Sequence, residues 1–316
     1  MINYIIRRLL ISVPVLFGVT LINYFIIQMA PGSPADMYIS PQLSAENIAN
    51  LKDQMGLNDP VWLQYFKWLG QLFQGNLGYS LKTNEPVIQL IGERILPTLL
   101  LTGSALIIGL LIALPLGIIS AIKRNTIVDY CSTGFSFLGF SIPTFFLGLV
   151  AIFIFALQLN LLPSGGMKTL GNSGGAWDII NHLILPACIL SIGTASTVTR
   201  YVRSSMIEIL GQDYMRTARA KGLKEFFVIG KHALRNGLIP ILTLVGLSVG
   251  ELLGGAAVTE QVFQWPGLGQ LTIQSILSRD YPVIMGISIL AAIVMLAANL
   301  ITDILYSVVD PRIKYN

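Results

Sequence analysis

The sequence predicts an all-α integral membrane protein with six transmembrane helices and both termini in the cytoplasm. Of its 316 residues, 53% are hydrophobic and only 11% are charged, whereas soluble domains carry about 25% charged residues. The mean hydropathy is +0.70, and uncharged stretches long enough to cross a bilayer recur along the chain. These observations indicate that lipid surrounds most of the chain.

Six stretches reach the roughly 20 apolar residues that a helix needs to cross the hydrocarbon core. Only the fifth contains a charged residue, Glu251. The first stretch exceeds the apolar core of a signal peptide, about 7–15 residues, and no small-x-small cleavage site follows it, so we expect a retained anchor. The stretches cover residues 9–30, 95–122, 130–167, 179–199, about 238–258, and 281–302.

The distribution of basic residues predicts the orientation. With the N-terminus inside, 14 of the 20 lysines and arginines fall in inner segments and six fall in outer segments. Because lysine and arginine accumulate on the cytoplasmic side of membrane proteins, both termini are predicted to be cytoplasmic. The location of these charges explains the formal net charge of +4. We therefore expect membrane lipid around the chain and no nucleic-acid partner.

A long outer segment, about residues 31–94, follows the first span. Ser44 is placed to cap a helix that ends at Gly56, and Asp59-Pro60 opens a second helix with proline at its first position. Residues 62–73 are rich in aromatic side chains, which is typical of the membrane–water interface. Two roles stay open, a platform for an extracytoplasmic binding protein and a cap that shields the helix bundle.

The inner loop between the fourth and fifth spans has the features of a docking element. Asp213 is placed to cap a short helix that runs to Lys221, Gly222 ends this helix, and residues 224–232 form a second one. Small residues in the loop permit close approach by another protein, and basic residues form its rim. Because basic cytoplasmic loops are common, a plain connector also fits the residues alone.

Several motifs, in a fixed order, carry a family resemblance. Residues 213–223 read Asp-Tyr-Met-Arg-Thr-Ala-Arg-Ala-Lys-Gly-Leu, and residues 232–240 read His-Ala-Leu-Arg-Asn-Gly-Leu-Ile-Pro. Val-Phe-Gln-Trp-Pro-Gly-Leu-Gly follows at 262–269 and Arg-Asp-Tyr-Pro at 279–282. Supporting motifs are Ala-Pro-Gly at 30–32, Gly-Asn-Leu-Gly-Tyr-Ser at 75–80 and Asp-Pro-Arg at 310–312. From Arg7 to the C-terminus, the chain resembles the dipeptide and oligopeptide permeases of ABC importers.

The resemblance implies a type I ABC importer transmembrane domain in the bacterial cytoplasmic (inner) membrane. It divides the chain into an N-terminal helix with the extracytoplasmic segment (1–94), a transmembrane core (95–305) and a cytoplasmic tail (306–316). It identifies residues 213–227 as the coupling helix, which sits in a cleft of an ATPase subunit. The implied coupling residues are Asp213, Arg216, Thr217, Ala218, Arg219, Ala220, Lys221, Gly222 and Leu223.

One departure from the wider importer class narrows the resemblance. Arg216-Thr217-Ala218 stands where that class has Glu-Ala-Ala, and this difference is similar to the peptide-type branch. The resemblance implies a second homologous permease, two ABC ATPases, an extracytoplasmic substrate-binding protein and a dipeptide or oligopeptide substrate. Relatives that carry nickel, a metal chelate or another small solute leave those substrates as alternatives.

The chain contains no Gly-x-x-x-x-Gly-Lys-Ser/Thr motif for cradling nucleotide phosphates. We therefore expect no enzyme activity and no cofactor or metal in this chain. The resemblance implies that ATP and Mg²⁺ are bound, and ATP is hydrolysed, by the partner ATPase subunits.

Polar residues inside the spans define a candidate pathway and the rival interpretations. Glu251, beside Gly254 and Gly255, either lines the translocation pathway or hydrogen-bonds to a neighbouring helix. An ion-coupled secondary transporter would use Glu251, Asp303 and His182 as relays. Asp303 is instead predicted to pair with a basic residue of a loop. An intramembrane enzyme is disfavoured, because neither histidine has a partner at metal-ligand spacing.

The two cysteines, Cys131 and Cys188, lie in strongly apolar stretches without a Cys-x-x-Cys motif. Both are predicted to be buried free thiols.

Overall fold

The computed structural model describes residues 2–29, 58–169, 171, 174–237 and 256–309. Regular structure in these ranges is helical, apart from an isolated bridge between Tyr79 and Pro86. In chain order the helices are α1 Ile2–Gln28, α2 Val61–Phe73, α3 Val87–Ile122, α4 Ile127–Ser141, α5 Thr144–Gln158, α6 Gly175–Leu210, α7 Asp213–Ala220, α8 in three consecutive parts Glu225–Phe227, Val228–Ala233 and Leu234–Gly237, α9 Ala257–Val262, α10 Leu268–Leu277, and α11 Tyr281–Val309.

The predicted all-helical membrane class is confirmed. Within the described ranges, α1, α3, α6 and α11 are long and apolar enough to cross a membrane, and the bent pair α4–α5 forms a fifth candidate. Most of the fifth predicted stretch, 238–258, lies outside the described residues, so the count of six spans stays a prediction. The predicted helix between Ser44 and Gly56 also lies outside them.

The third predicted stretch, 130–167, is a broken helix rather than a continuous one. The axes of α4 and α5 meet at 98°. Pro143 precedes α5, and Ile142 before it has extended backbone angles, φ −85° and ψ 127°. Because proline disfavours the helical conformation of the residue before it, the chain turns at Ile142. An uncharged run in the sequence carries no record of this bend.

Two predicted helix starts are wrong by one residue. Pro60 is the capping residue of α2 and not its first helical residue, since its ψ is 140°. Asp213 is the first residue of α7 and Gln212 is its cap, so the side chain of Asp213 makes no capping hydrogen bond. The Asp213 carboxylate still lies in the first turn, where a negative charge is favourable.

The centre of the fold is the pair α3 and α6, packed against each other along much of their length. Glycine makes this approach possible, because a Cβ at Gly117 would lie 2.6 Å from the Cβ of Val202. Helix α4 packs on α6, while α11 packs on α3 and α1. The result is a helical bundle with α1 at its periphery.

An ion pair joins the first and last described helices. Arg8 Nη2 lies 2.9 Å from a carboxylate oxygen of Asp303, so the start of α1 and the end of α11 lie side by side. Asp303 is therefore structural, as predicted, but its partner belongs to a helix and not to a loop. This placement fits termini on one side of the membrane; the cytoplasmic side stays a prediction.

The two cysteines are free, as predicted, but the predicted burial was wrong. Cys131 on α4 and Cys188 on α6 are both exposed at the surface of the bundle. In a membrane protein an apolar sequence marks lipid-facing positions as well as buried ones, so the surrounding residues could not distinguish the two.

Candidate functional site

The predicted coupling segment, residues 213–227, is carried on the end of α6. With 36 residues and a rise of about 1.5 Å per residue, α6 is about 54 Å long, which exceeds a hydrocarbon core of roughly 30 Å. Its C-terminal part therefore projects beyond the core. After Gly211 and Gln212 the chain enters α7 directly.

One face of the segment is packed into the core of its own chain. Met215 and Ala218 are buried at 0% and 6% exposure, and they belong to the same hydrophobic cluster as Met206 and Val202 of α6. Val228 of α8 joins this cluster, as do alanines of α3. The segment is thus attached to the α3–α6 pair by packing as well as by the chain.

The remaining sequence-predicted coupling residues lie on the other side of the segment. Ala218 is buried and serves the packing just described. The others are exposed, namely Asp213, Arg216, Thr217, Arg219, Ala220, Lys221, Gly222 and Leu223. The structure therefore places eight of the nine predicted residues where another protein could reach them.

The predicted break at Gly222 is present and requires glycine. Gly222 has φ +76°, a left-handed conformation that costs other residues free energy because of their Cβ. Its N–H donates to the carbonyl oxygen of Arg219 at 2.9 Å. A Cβ at this position would meet nothing within 4 Å, so backbone conformation and not space selects glycine.

An ion pair that sequence reasoning missed crosses this break. Arg219 donates from Nε and Nη2 to the two carboxylate oxygens of Glu225, at 3.2 and 2.8 Å. The guanidinium lowers the pKa of Glu225, and the carboxylate raises the pKa of Arg219. The pair joins α7 to α8 and so favours one angle between them. Opposite charges three residues either side of a glycine were its signal in the sequence.

The accessible side of the segment combines aromatic and basic side chains. Tyr214, Leu223, Phe226 and Phe227 are exposed, with Phe226 at 81%. Arg216, Lys221, Lys224 and Lys231 lie on the same exposed stretch. Exposed aromatic and arginine side chains are typical of protein interfaces, and the excess of basic residues favours a partner surface with acidic residues.

A buried ion pair holds three helices together near the same end of the bundle. Arg203 of α6 donates from Nε and Nη2 to Asp129 of α4, at 2.6 and 2.8 Å. The same carboxylate accepts hydrogen bonds from the Ser120 hydroxyl of α3 and from the Asn125 N–H. The Asp129 side chain is only 3% exposed. The sequence marked Asp129 only as the limit of an uncharged stretch.

The motif at 262–269 forms a second assembly, around the beginning of α3. Trp265 is fully buried and donates from Nε1 to the carbonyl oxygen of Pro97 at 2.8 Å. The Thr98 hydroxyl donates to the buried carboxylate of Glu260 at 2.8 Å and accepts from the N–H of Leu268 at 2.7 Å. These bonds tie α9 and α10 to α3.

The Glu260 carboxylate caps the start of α10. It accepts the N–H of Gln270 at 2.9 Å, which satisfies one of the unpaired donors in the first turn of a helix. Burial raises the pKa of Glu260, and these donors, which stabilise the ionised form, lower it in part. Gly267 is required beside it, because a Cβ there would lie 2.3 Å from the carboxyl carbon.

The motifs at 75–80 and 279–282 meet at the other end of α10. The buried Asp280 carboxylate accepts hydrogen bonds from the Ser80 hydroxyl and, at 3.0 Å, from the N–H of Leu81. Three of the motifs that carry the resemblance thus build one connected structure around α10 and the start of α3. Their functional signal in the sequence was clear, but their mutual contacts were not.

The predicted pathway residues Glu251, Gly254 and Gly255 lie outside the described residues. His182, a possible relay residue, is buried, and its Nδ1 lies 2.9 Å from the carbonyl oxygen of Asp178 in the same helix. Across the described ranges, no group of three or more histidine, cysteine, aspartate or glutamate residues could hold a metal ion.

Comparison with known proteins covers nearly the whole chain. Residues 113–315 match the family described as binding-protein-dependent transport system inner membrane component, and residues 1–102 match its N-terminal counterpart. The oligopeptide transport system permease protein AppB of Bacillus subtilis is 45% identical over 99% of both chains. The dipeptide transport system permease protein DppB of Alkalihalophilus pseudofirmus is 41% identical over 100% of both.

A third relative and a solved structure complete the comparison. The glutathione transport system permease protein GsiC of Escherichia coli is 39% identical over 100% of both chains. An inward-facing structure of the MetNI methionine ABC transporter matches 72% of this chain and 99% of its own, with a TM-score of 0.59 and 20% identity. That likeness shows a shared fold.

Proposed function

This chain belongs to the family of binding-protein-dependent transport system inner membrane components, and we propose from that membership that it is the permease subunit of an ATP-driven importer of short peptides. It is a multi-pass protein of the bacterial inner membrane. Relatives that match it from end to end are named for oligopeptides, dipeptides and glutathione. These names support a peptide as the solute.

The observation that carries the proposal is the two-sided build of the coupling segment. One side, with Met215 and Ala218, is packed on α6 and α3. The other side presents Phe226 and a basic rim. In this proposal the exposed side sits in an acidic cleft of an ATPase subunit. That subunit binds ATP and Mg²⁺ and hydrolyses ATP, while this chain supplies no nucleotide site.

Movement is transmitted through packed elements in this proposal. When the ATPase subunits close on ATP, the cleft carries the coupling segment with it. Because Met215 packs on Met206, and Arg203 is bound to Asp129, the displacement passes to α6, α3 and α4 together. The bundle then has two arrangements, open to either side of the membrane, and nucleotide shifts their populations by binding one more tightly.

The remaining components follow from the type of importer proposed. A second, homologous permease completes the pathway, two ABC ATPases bind one permease each, and an extracytoplasmic binding protein delivers the peptide. Glu251, with Gly254 and Gly255, is proposed to line the pathway. A charge within the bilayer is favourable only if it faces the interior of the bundle.

Purification of the tagged chain from its native membranes in mild detergent tests the proposal. We expect a second permease and ATPase subunits to accompany it, and ATP hydrolysis to increase when a peptide-loaded binding protein is added. Stimulation by nickel or a metal chelate alone would retain the importer and refute the peptide. A chain that purified alone under several mild conditions would favour a secondary transporter.

A further inference from the structure

We infer that α2 lies in the lipid–water interface of the membrane, with one aromatic face in lipid. This aromatic face consists of Trp62, Phe66, Leu69 and Phe73. Their spacing of four, three and four residues places them in one stripe along the helix. Trp62, Phe66 and Phe73 are 60%, 55% and 83% exposed, so the rest of the described chain leaves most of this stripe uncovered.

A second face of α2 is occupied by α1. Tyr65 is only 2% exposed, and its hydroxyl lies 2.9 Å from the hydroxyl of Thr20. The Tyr65 ring packs edge-on against Phe17 and Tyr24, at centroid distances of 5.9 and 5.4 Å. Because these contacts use the side of α2 next to the aromatic face, α1 holds α2 without covering the stripe.

The third face of α2 is polar. Lys67 and Gln71 are exposed and lie on the side of the helix away from the aromatic face, at about 100° per residue. Lys67 forms an ion pair with Asp59 at 2.5 Å. A helix with an apolar face opposite a charged or polar face lies along a membrane surface, with the apolar face directed into lipid.

The contacts with α1 also fix the depth of α2. Gln64 Oε1 lies within hydrogen-bond distance of the Tyr24 hydroxyl, at 3.4 Å, and of Gln28 Nε2, at 3.3 Å. Gln28 is the last residue of α1, and Tyr24 lies about 6 Å below it along the axis. This depth agrees with the roughly 5–10 Å by which interfacial helices enter the membrane.

Lipid at this level is already required by α1. Its side chains Ile22 and Ile26 are 60% and 61% exposed, and α1 is a candidate membrane span. The lipid that covers them extends to the aromatic face, where tryptophan and phenylalanine suit the boundary. The consequence is that α2 anchors the end of α1 at a fixed depth, and its aromatic face is not a platform for the binding protein. This inference does not depend on the transported solute.

Nitroxide labels on the complete complex in nanodiscs of phosphatidylcholine and phosphatidylglycerol test the inference. Cys131 and Cys188, which are exposed, are first replaced by serine. Single labels are then attached in Phe66→Cys and Phe73→Cys, with Gln71→Cys on the polar face as the matched control. Collisions with oxygen report lipid, and collisions with a water-soluble nickel chelate report water.

We expect the oxygen-to-chelate ratio to be several-fold higher at both phenylalanine positions than at the control, with no change when the binding protein is added. Equal chelate access at all three positions would overturn the inference. Shielding of the phenylalanine positions only after the binding protein is added would assign the face to that protein instead. Both exchanged phenylalanines are mostly exposed, so neither replacement removes a core contact.

Discussion

Replacement of Gly222 perturbs the angle of the coupling segment without touching its contacts. Gly222 has φ +76°, and a Cβ there would meet nothing within 4 Å. The cost of Gly222→Ala is therefore the cost of the left-handed conformation, about 1–2 kcal/mol. That shifts the equilibrium between the native break and its alternatives by a factor of about 5 to 30. Gly222→Asn should cost less, because asparagine adopts this conformation more readily.

Gly222→Pro should have the largest effect. Proline fixes φ near −65°, far from the observed value, and removes the N–H that donates to the carbonyl oxygen of Arg219 at 2.9 Å. The loss should reach or exceed about 3 kcal/mol. Gly230→Ala is the matched control, since Gly230 lies in the neighbouring helix, has no positive φ, and has open space around its Cβ position.

The assay is the amount of peptide taken up per ATP hydrolysed in proteoliposomes that contain the complete importer. We expect this ratio to fall in the order Asn, Ala, Pro at position 222, and to stay unchanged in the control. Unchanged uptake in Gly222→Pro would refute the reasoning. An equal loss in the control would show that the effect does not come from the angle at the break.

Three further predictions concern contacts that the structure revealed. Arg203→Ala leaves the buried Asp129 carboxylate unpaired and should cost about 3–5 kcal/mol, measured as a lower unfolding temperature in detergent; an unchanged temperature would contradict this. Gly267→Ala should lower the yield of folded protein, because its Cβ would lie 2.3 Å from a buried carboxyl group, whereas Gly103→Ala, with nothing within 4 Å, should not. Because its arginine partner lowers the pKa of Glu225, their ion pair contributes above the ordinary carboxylate pKa and is lost as pH falls through the lowered value. Since the pair is about half exposed, Glu225→Gln at pH 7 should cost less than about 1 kcal/mol, and a larger change on denaturant titration would show a stronger role.

Local sequence signals predicted much of the fold because they depend on local physics. Uncharged stretches located the candidate spans, and the glycine at 222 located the break in the coupling loop. Helix ends were less well predicted. Asp213 and Pro60 were each misplaced by one residue, because either neighbour could supply the backbone conformation of the cap.

The contacts between distant segments could not be predicted from one sequence. Trp265 bonds to Pro97, 168 residues away, and no local pattern pairs the two. Asp129 and Arg203 are 74 residues apart and looked like ordinary charges at the ends of spans. The burial of the cysteines failed for a related reason, since an apolar sequence does not distinguish a lipid-facing position from a buried one.

The central claim is that residues 213–227 dock on an ATPase subunit and move with it. A photoreactive cross-linker on Thr217→Cys, in the purified importer with Cys131 and Cys188 replaced, tests this directly, and the same cross-linker on Phe73→Cys is the control. The account predicts a cross-link from position 217 to the ATPase, with a yield that changes when ATP is added, and none from position 73. No cross-link from position 217 in a complex that still hydrolyses ATP would contradict it.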